Sequence, residues 1–316
     1  MTDVFQEHLS YFQLPRRLDL YSEAIKAAIK PGDTVADLGC GFGVLGVLCL
    51  NHGASKVWGI DNSDAIHVAR ETVQRAGLAE SYHCIAGSTF TTELPEKVDM
   101  IICDHVGFFG FDYGMIGMLR DAKKRFLKPG GVIMPQALQL MVAGVSTKAY
   151  DDIAGPWERE STPSEYRWLR EASINTKHAR EFTSEEMLSD AARLGAIDLQ
   201  ADGPDYFSFA ATLTMTHDGV FHGLAGWFDC LLGGGIWMTN SPVEDRSIKR
   251  PQAFLAVEQP FAVTAGEVVE VTIKIRPDDN MIAWTVDAGS ASPRQKMSSW
   301  KSAILSPDDL TGKSAK

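Results

Sequence analysis

Val35-Ala36-Asp37-Leu38-Gly39-Cys40-Gly41-Phe42-Gly43, followed through a short helical run to Val57-Trp58-Gly59-Ile60-Asp61, decides the fold of this 316-residue chain. The stretch reads as a buried strand, a glycine turn, a helix and a second strand ending in a carboxylate. That is the layout of a nucleoside-binding βαβ unit. Gly39, Gly41 and Gly43 remove Cβ atoms where the backbone must turn sharply and approach a ligand closely. Asp61, at the carboxyl end of the second strand, is set to accept both ribose hydroxyls of an adenosine group. Cys40 and Asn62 flank these positions and join the expected cofactor contacts.

The glycine frame then selects among cofactors. A nicotinamide fingerprint needs G-x-G-x-x-G, whereas the frame here is Asp37-x-Gly39-x-Gly41-x-Gly43 with an acidic residue at the strand end. Gly39, Gly41 and Gly46 reach the dehydrogenase spacing only by force. The Asp37 to Gly43 run resembles motif I of the S-adenosylmethionine-dependent methyltransferases, so S-adenosylmethionine is the expected cofactor.

Composition narrows the partners. Lys and Arg total 30 against 41 Asp and Glu, a formal charge of −11, and an acidic surface lacks the cations that bind phosphate backbones. No nucleic-acid partner is expected. Cysteines 40, 49, 84, 103 and 230 are odd in number and contain no C-x-x-C pair, which suits reduced thiols in a cytoplasmic protein. Residues 1–11 carry no apolar run of signal length and nothing later reaches the roughly 18 apolar residues of a span. A soluble chain without membrane contact is the expectation.

Strands are read at Thr34–Leu38, Lys56–Ile60, Tyr82–Ala86, Val98–Cys103 and Val132–Pro135. Helices are read at Leu20–Lys30, Val44–Asn51, Ser63–Ala76 and Met115–Phe126. This alternation predicts a doubly wound α/β domain, Rossmann-like, over residues 1–135. After Pro135 the period changes to short β-branched and aromatic runs: Ala137–Val145, Phe207–Met215, Val220–Cys230, Gln252–Phe261 and Glu267–Ile275. These predict an antiparallel β-barrel domain over 136–316. A polar, aromatic-bearing insertion spans 150–180, a short helix is expected over Ser184–Leu194, and Ala288–Lys316 reads as a loosely packed tail.

A β-barrel fused directly after the fifth Rossmann strand is similar to the protein arginine methyltransferases. Arg17-x-x-x-Tyr21-x-x-Ala24-Ile25 resembles that family's first helix, whose arginine holds the methionine carboxylate of the cofactor. Val98-Asp99-Met100-Ile101-Ile102, Leu127-Lys128-Pro129-Gly130-Gly131, and Asp218 through Asp229 resemble further motifs. The resemblance implies that residues 150–180 form a dimerisation arm of a head-to-tail homodimer, reaching the Rossmann face of the partner. Ser88 and Thr89, after the third strand, are the expected adenine contacts.

The acceptor site departs from that pattern. The family places two glutamates on the loop after the fourth strand to grip a guanidinium. In Cys103-Asp104-His105-Val106-Gly107-Phe108-Phe109-Gly110-Phe111-Asp112-Tyr113 the first position is Asp104 and the second Tyr113. The family's Thr-His-Trp loop falls on Arg246-Ser247-Ile248, and an arginine there would repel a cation. A thioether acceptor needs no general base, and Phe108, Phe109, Phe111 and Tyr113 could shelter a sulfonium product through cation–π contacts. The same aromatics are also what a core would bury. Asp104 would then hold an amino group and Arg246, Lys249 or Arg250 a carboxylate.

The resulting expectation is a methyltransferase for a small amino-acid-type acceptor, with S-methylation of free methionine as the specific reading. Asp104, His105 and Tyr113 carry the catalytic expectation; Phe108, Phe109, Tyr113 and Arg246 carry substrate binding. The alternatives are a divergent protein arginine N-methyltransferase, a small-molecule N- or O-methyltransferase with Asp104 or His105 as base, and a non-catalytic scaffold that only holds the cofactor. His217 and His222 have no partners at metal spacing, so no metal is expected.

Overall fold

The computed structural model describes residues 4–278 and 281–300. In chain order, α1 (Val4–Phe12) and α2 (Arg17–Ala28) precede β1 (Thr34–Leu38), α3 (Val44–Asn51), β2 (Lys56–Asp61), α4 (Ala65–Arg75), β3 (Tyr82–Ala86), β4 (Val98–Cys103), α5 (Met115–Phe126) and β5 (Leu127–Met134). The five strands form one parallel sheet in the order β3-β2-β1-β4-β5. The order reverses next to β1, and such a switch point leaves a crevice at the carboxyl ends of the strands. The expected fifth strand at Val132–Pro135 begins earlier, because Leu127 already pairs with Val98 before the register shifts around Pro129-Gly130.

β6 (Ala137–Val145) follows at once, then a helical segment containing α6 (Ala149–Ala154) and α7 (Leu169–Ile174), then β7 (His178–Arg180), β8 (Ala192–Asp198), β9 (Phe207–Thr214), β10 (Gly219–Gly233), β11 (Ile236–Thr239), β12 (Gln252–Val263), β13 (Val268–Arg276), β14 (Met281–Asp287) and β15 (Gln295–Ser298). They make an antiparallel sheet β7-β12-β10-β6-β8, with β11 on β10, and a second sheet β15-β14-β13-β9. Strict alternation in β13 sends Val269, Val271, Ile273 and Ile275 inward and Glu270 and Lys274 outward, the pattern of a strand with one wet face.

The helix expected over Ser184–Leu194 does not form. Thr183 and Glu186 make a capping box around a single turn, and the chain then becomes sheet edge: Leu188 N–H donates to Gly144 O at 2.8 Å, and β8 begins at Ala192. Pairing with β6 supplies the backbone partners that a helix would have supplied, and this overrides a weak local preference. The tail expectation is corrected for Gln295–Ser298, which pair with β14; residues 301–316 lie outside the described residues.

Two buried arrangements position the crevice. In the first, the Tyr82 ring occupies space left by two glycines: a Cβ on Gly46 or Gly59 would come within 2.4 Å of it. The ring thereby delivers its hydroxyl to Asp37 Oδ2 at 3.0 Å, and Gly46 N–H donates to the same oxygen at 2.9 Å. Gly46 is thus a packing residue. In the second, the loop after β4 wraps around Asp112, whose Oδ2 accepts from Phe108 N–H (2.9 Å) and Phe109 N–H (2.7 Å) while Oδ1 meets Lys177 Nζ. Lys177 stands just before β7 and also lies over the Phe108 and Phe111 rings.

Burial pushes the Asp37 carboxyl up to about 7, against the bonds from Gly46 and Tyr82. A carboxyl with its folded pKa above its unfolded one binds more protons folded than unfolded between the two values, so stability is full near pH 4 and falls as pH rises towards 7. Asp37→Asn, which keeps the acceptor oxygen, is expected to flatten this fall, which is on the order of 4 kcal/mol in all. Urea titrations of both forms from pH 5 to 8 would check it; parallel curves would refute it. Lys177→Ala leaves a buried carboxylate unpaired and should cost about 3 kcal/mol in the same assay. A loss below about 1 kcal/mol would show that the pair does not hold the loop.

Candidate functional site

A pocket of ≈ 430 Å³ opens at the carboxyl ends of β1, β2 and β4, bordered by Gly39, Cys40, Gly41, Asp61, Asn62, Asp104, His105 and Tyr113, roofed by α1 and flanked by Arg250. Its size falls within the range of about 300–1,000 Å³ found for small-molecule sites. Gly39, Gly41 and Gly43 all hold positive φ, at 61°, 53° and 81°. Side chains are excluded there for a second reason. A Cβ on Gly39 would land 2.0 Å from the His105 ring, and one on Gly41 would land 2.3 Å from the ring of His8 on α1. His8 stacks on Phe42 with centroids 4.1 Å apart, which seats α1 over the turn.

Asp61 ends β2 at the mouth of the turn. Its Oδ2 accepts from Gly41 N–H at 2.8 Å and its Oδ1 from Ser63 N–H at 2.8 Å and Ser63 Oγ at 2.6 Å. Each carboxylate oxygen has lone pairs left for a ribose hydroxyl. Asp37 borders the pocket but commits Oδ2 to Gly46 and Tyr82, so its geometry serves the turn. At the inner end Arg17, from the first turn of α2, grips Asp104: Nε donates to Oδ2 at 2.6 Å and Nη2 contacts the same oxygen, while Tyr21 OH donates to Oδ1 at 2.9 Å. Burial opposes ionisation of Asp104, but the charges of Arg17 and then Arg250, with the bonds from Arg17 and Tyr21, outweigh it and hold the carboxyl below its usual range. His105 is driven the other way. Burial lowers its pKa, with Asp104 and Asp61 opposing, so the ring is neutral at pH 7.

The pocket has what an adenosyl sulfonium ligand requires: a turn without side chains where the backbone must come close, a carboxylate for the ribose, and a guanidinium at the far end for a carboxylate group. The donor set therefore fits S-adenosylmethionine.

Several expected contacts fall elsewhere. Ser88 and Thr89 do not border the pocket; Ser88 Oγ accepts from Phe90 N–H, and the Thr89 carbonyl meets Arg125. Phe109 is fully buried against Phe111 and the backbone of Gly226. Phe108 packs on the core beneath Lys177. Neither faces the pocket, because the loop is drawn around Asp112 and its aromatics turn inward. Tyr113 does face it, 59% exposed and in the left-handed region at φ 56°. Arg246 is absent from the lining and pairs with Glu244 and, at 3.6 Å, with Asp229. Arg250, four residues on, takes the place at the pocket. The α1 roof was missed from sequence, where residues 1–11 register only as polar. Its signal is the spacing of Val4, Phe5, His8, Tyr11 and Phe12 on one side of a helix. Among the described residues no cluster of His, Cys, Asp and Glu is placed to hold a metal.

Comparison with known proteins agrees with this geometry. Residues 19–138 match the family model of the ribosomal protein L11 methyltransferase (PrmA), and residues 136–287 match the arginine methyltransferase oligomerization subdomain. The chain is 25% identical over 298 residues to the probable protein arginine N-methyltransferase 6 of Arabidopsis thaliana, covering 92% of this chain and 65% of that one. It is 26% identical over 255 residues to protein arginine N-methyltransferase 1 of Schizosaccharomyces pombe, covering 77% and 73%. It thus spans slightly under two thirds of the first of these. Among solved structures, the Trypanosoma brucei PRMT1 enzyme–prozyme heterotetrameric complex with AdoHcy superposes with a TM-score of 0.79 at 22% identity, covering 92% of this chain and 97% of that one. Arabidopsis thaliana protein arginine methyltransferase 10 superposes at 0.76 and 20% identity, covering 90% and 95%. Its two matched models and its superposition give the chain the fold of the arginine methyltransferases, a Rossmann-like methyltransferase domain followed by an arginine methyltransferase oligomerization subdomain.

Proposed function

We propose that the chain transfers the methyl group of S-adenosylmethionine to a guanidinium nitrogen of an arginine in a protein or peptide. The observation that carries this reading is Asp104, an ionised buried carboxylate at the end of β4, where the pocket's inner end meets the loop that an acceptor must pass. Free methionine, the first expectation from sequence, loses its footing because three of the four aromatic residues meant to shelter a thioether, Phe108, Phe109 and Phe111, pack into the core and only Tyr113 faces the pocket. The relatives named above carry the arginine methyltransferase name. The arginine alternative therefore replaces it.

S-adenosylmethionine, when bound, supplies a sulfonium methyl activated for displacement. The chain's own residues do the rest. Asp61 accepts hydroxyls of the ribose, Arg17 faces the carboxylate of the methionine moiety, and α1 with His8 and Phe42 shields the pocket from water. Asp104 accepts an N–H of the guanidinium and orients its plane, a role that preorganised charge performs well in a site without water. A guanidinium that gains a methyl must lose a proton, and neutral His105 borders the same end to accept it. Tyr113, at the second-glutamate position, offers a hydroxyl in place of a carboxylate. The match over 136–287 and the exposed Tyr166 and Trp168 of the 150–180 segment support a homodimer formed through that segment.

Asp104→Asn should lower turnover of an arginine peptide at least 10²-fold, with Asp104→Glu restoring part of it and thermal melting confirming that both fold. Mass detection of the methylated product checks this; full activity of the Asn variant would sink the assignment. Asp61→Ala should raise the cofactor's Kd about 10- to 100-fold, the worth of hydrogen bonds to a charged group, as measured by calorimetry. An unchanged Kd would remove Asp61 from the ribose.

A further inference from the structure

Arg250 flanks the acceptor side of the pocket, and no step above employs it. It is 7% exposed, borders the pocket, and its Nη1 is buried with no hydrogen-bond partner. The guanidinium carbon lies 5.3 Å from the ring centroid of Tyr11 on α1. Its backbone is held from both sides. Gln252 Nε2 donates to Arg250 O at 2.7 Å and to Asn240 O at 2.7 Å, while Asn240 Nδ2 donates to Pro251 O at 2.7 Å and to Phe108 O at 2.9 Å. Lys249, just before it, sits at φ 55° with its N–H on Ser247 Oγ. The side chain is therefore anchored to the same frame as the acceptor loop.

The charges at this end are unequally partnered. Arg17 takes the ionised carboxylate of Asp104 through two nitrogens, and Glu7 of α1, which also borders the pocket, accepts from Tyr11 OH at 3.4 Å. Asp112, the other carboxylate of the loop, is consumed by Lys177. Tyr113 replaces the second acid, and His105 is neutral. Arg250 is left with no ion-pair partner of its own among the described residues, and its free N–H edge suits a planar oxyanion.

We infer that Arg250 binds a carboxylate carried by the methyl acceptor itself, so that the preferred substrate is a peptide with an acidic side chain or a terminal carboxylate close to the target arginine. The inference rests on the arginine reading for the methylated group and on Arg250 alone for the anion. A guanidinium entering by itself leaves the Arg250 N–H edge without a partner, whereas one that brings its own carboxylate supplies it. The acceptor's two charges are then read by two residues: Asp104 takes the cation and Arg250 the anion.

Three peptides with one arginine each test this on the full-length chain: one with an adjacent Asp and an amidated terminus, one with an adjacent Asn and a free terminal carboxylate, and one with Asn and an amidated terminus. At least one carboxylate peptide is expected to show a KM tenfold or more below the neutral peptide. Arg250→Ala should erase that advantage, and Arg250→Lys should restore part of it, with the KM for S-adenosylmethionine unmoved. Which carboxylate peptide gains identifies the source of the anion. Equal KM values for all three, or a variant whose only defect is a higher cofactor KM, would overturn the inference; the second result would make Arg250 a prop for α1 or a cofactor contact. Binding of the same peptides to the chain saturated with S-adenosylhomocysteine separates the two readings. An Arg250-dependent preference for carboxylate peptides without methylation would overturn the arginine reading and keep the anion site. Methylation without any such preference would do the reverse.

Discussion

The buried pair of Arg17 and Asp104 is the interaction on which the working end of this molecule depends. It ties the first turn of α2 to the end of β4, and Tyr21 adds a third bond from the same helix. Taking two charges out of water costs free energy that attraction recovers only with good geometry and further hydrogen bonds. Here both conditions are met, and Asp104 stays ionised where burial alone would protonate it. The pair also sets the boundary between the two halves of the pocket. On one side lie the glycine turn and Asp61, which fit a nucleoside; on the other lie His105, Tyr113 and Arg250, which border the same pocket.

The barrel takes part in this site. Lys177, just before β7, pins the loop after β4 by holding Asp112; Asn240, after β11, bonds that loop's Phe108 carbonyl; and Arg250, before β12, borders the pocket. Three separate segments of the second architecture therefore converge on one loop of the first. The ionic anchor is buried and geometrically strict, so the loop has little freedom to turn its aromatics toward a ligand. Phe109 and Phe111 fill the seam between the two architectures, and the acceptor environment is left to polar groups.

The likeness to arginine methyltransferases lies in architecture, with TM-scores of 0.79 and 0.76 at 22% and 20% identity. That contrast has a physical basis. A cofactor pocket built from backbone turns and one carboxylate tolerates change in most side chains around it, because much of the recognition is made by absent Cβ atoms and main-chain positions. A pocket that selects by side-chain charge is more easily altered, since a single replacement changes what it attracts.

The amino-acid sequence by itself determined the five parallel strands, the cofactor turn and Asp61. Their signals are local: glycines at positive φ, β-branched runs of strand length, and a carboxylate at a strand end. It also determined the change of period after Pro135 that marks the barrel. Tertiary structure alone decided which way the loop after β4 faces. Phe108 and Phe109 read as core filling more readily than as a cage, yet their place after β4 left both open, and the bond from distant Lys177 to Asp112 turns them inward. It likewise chose Arg250 over Arg246, since which of two nearby arginines enters a pocket depends on how Asn240 and Gln252 hold the backbone between them. And it turned 184–194 from helix to sheet edge, because the partners that β6 offers there, Gly144 for Leu188 and Val142 for Ala192, lie far upstream, outside any local pattern.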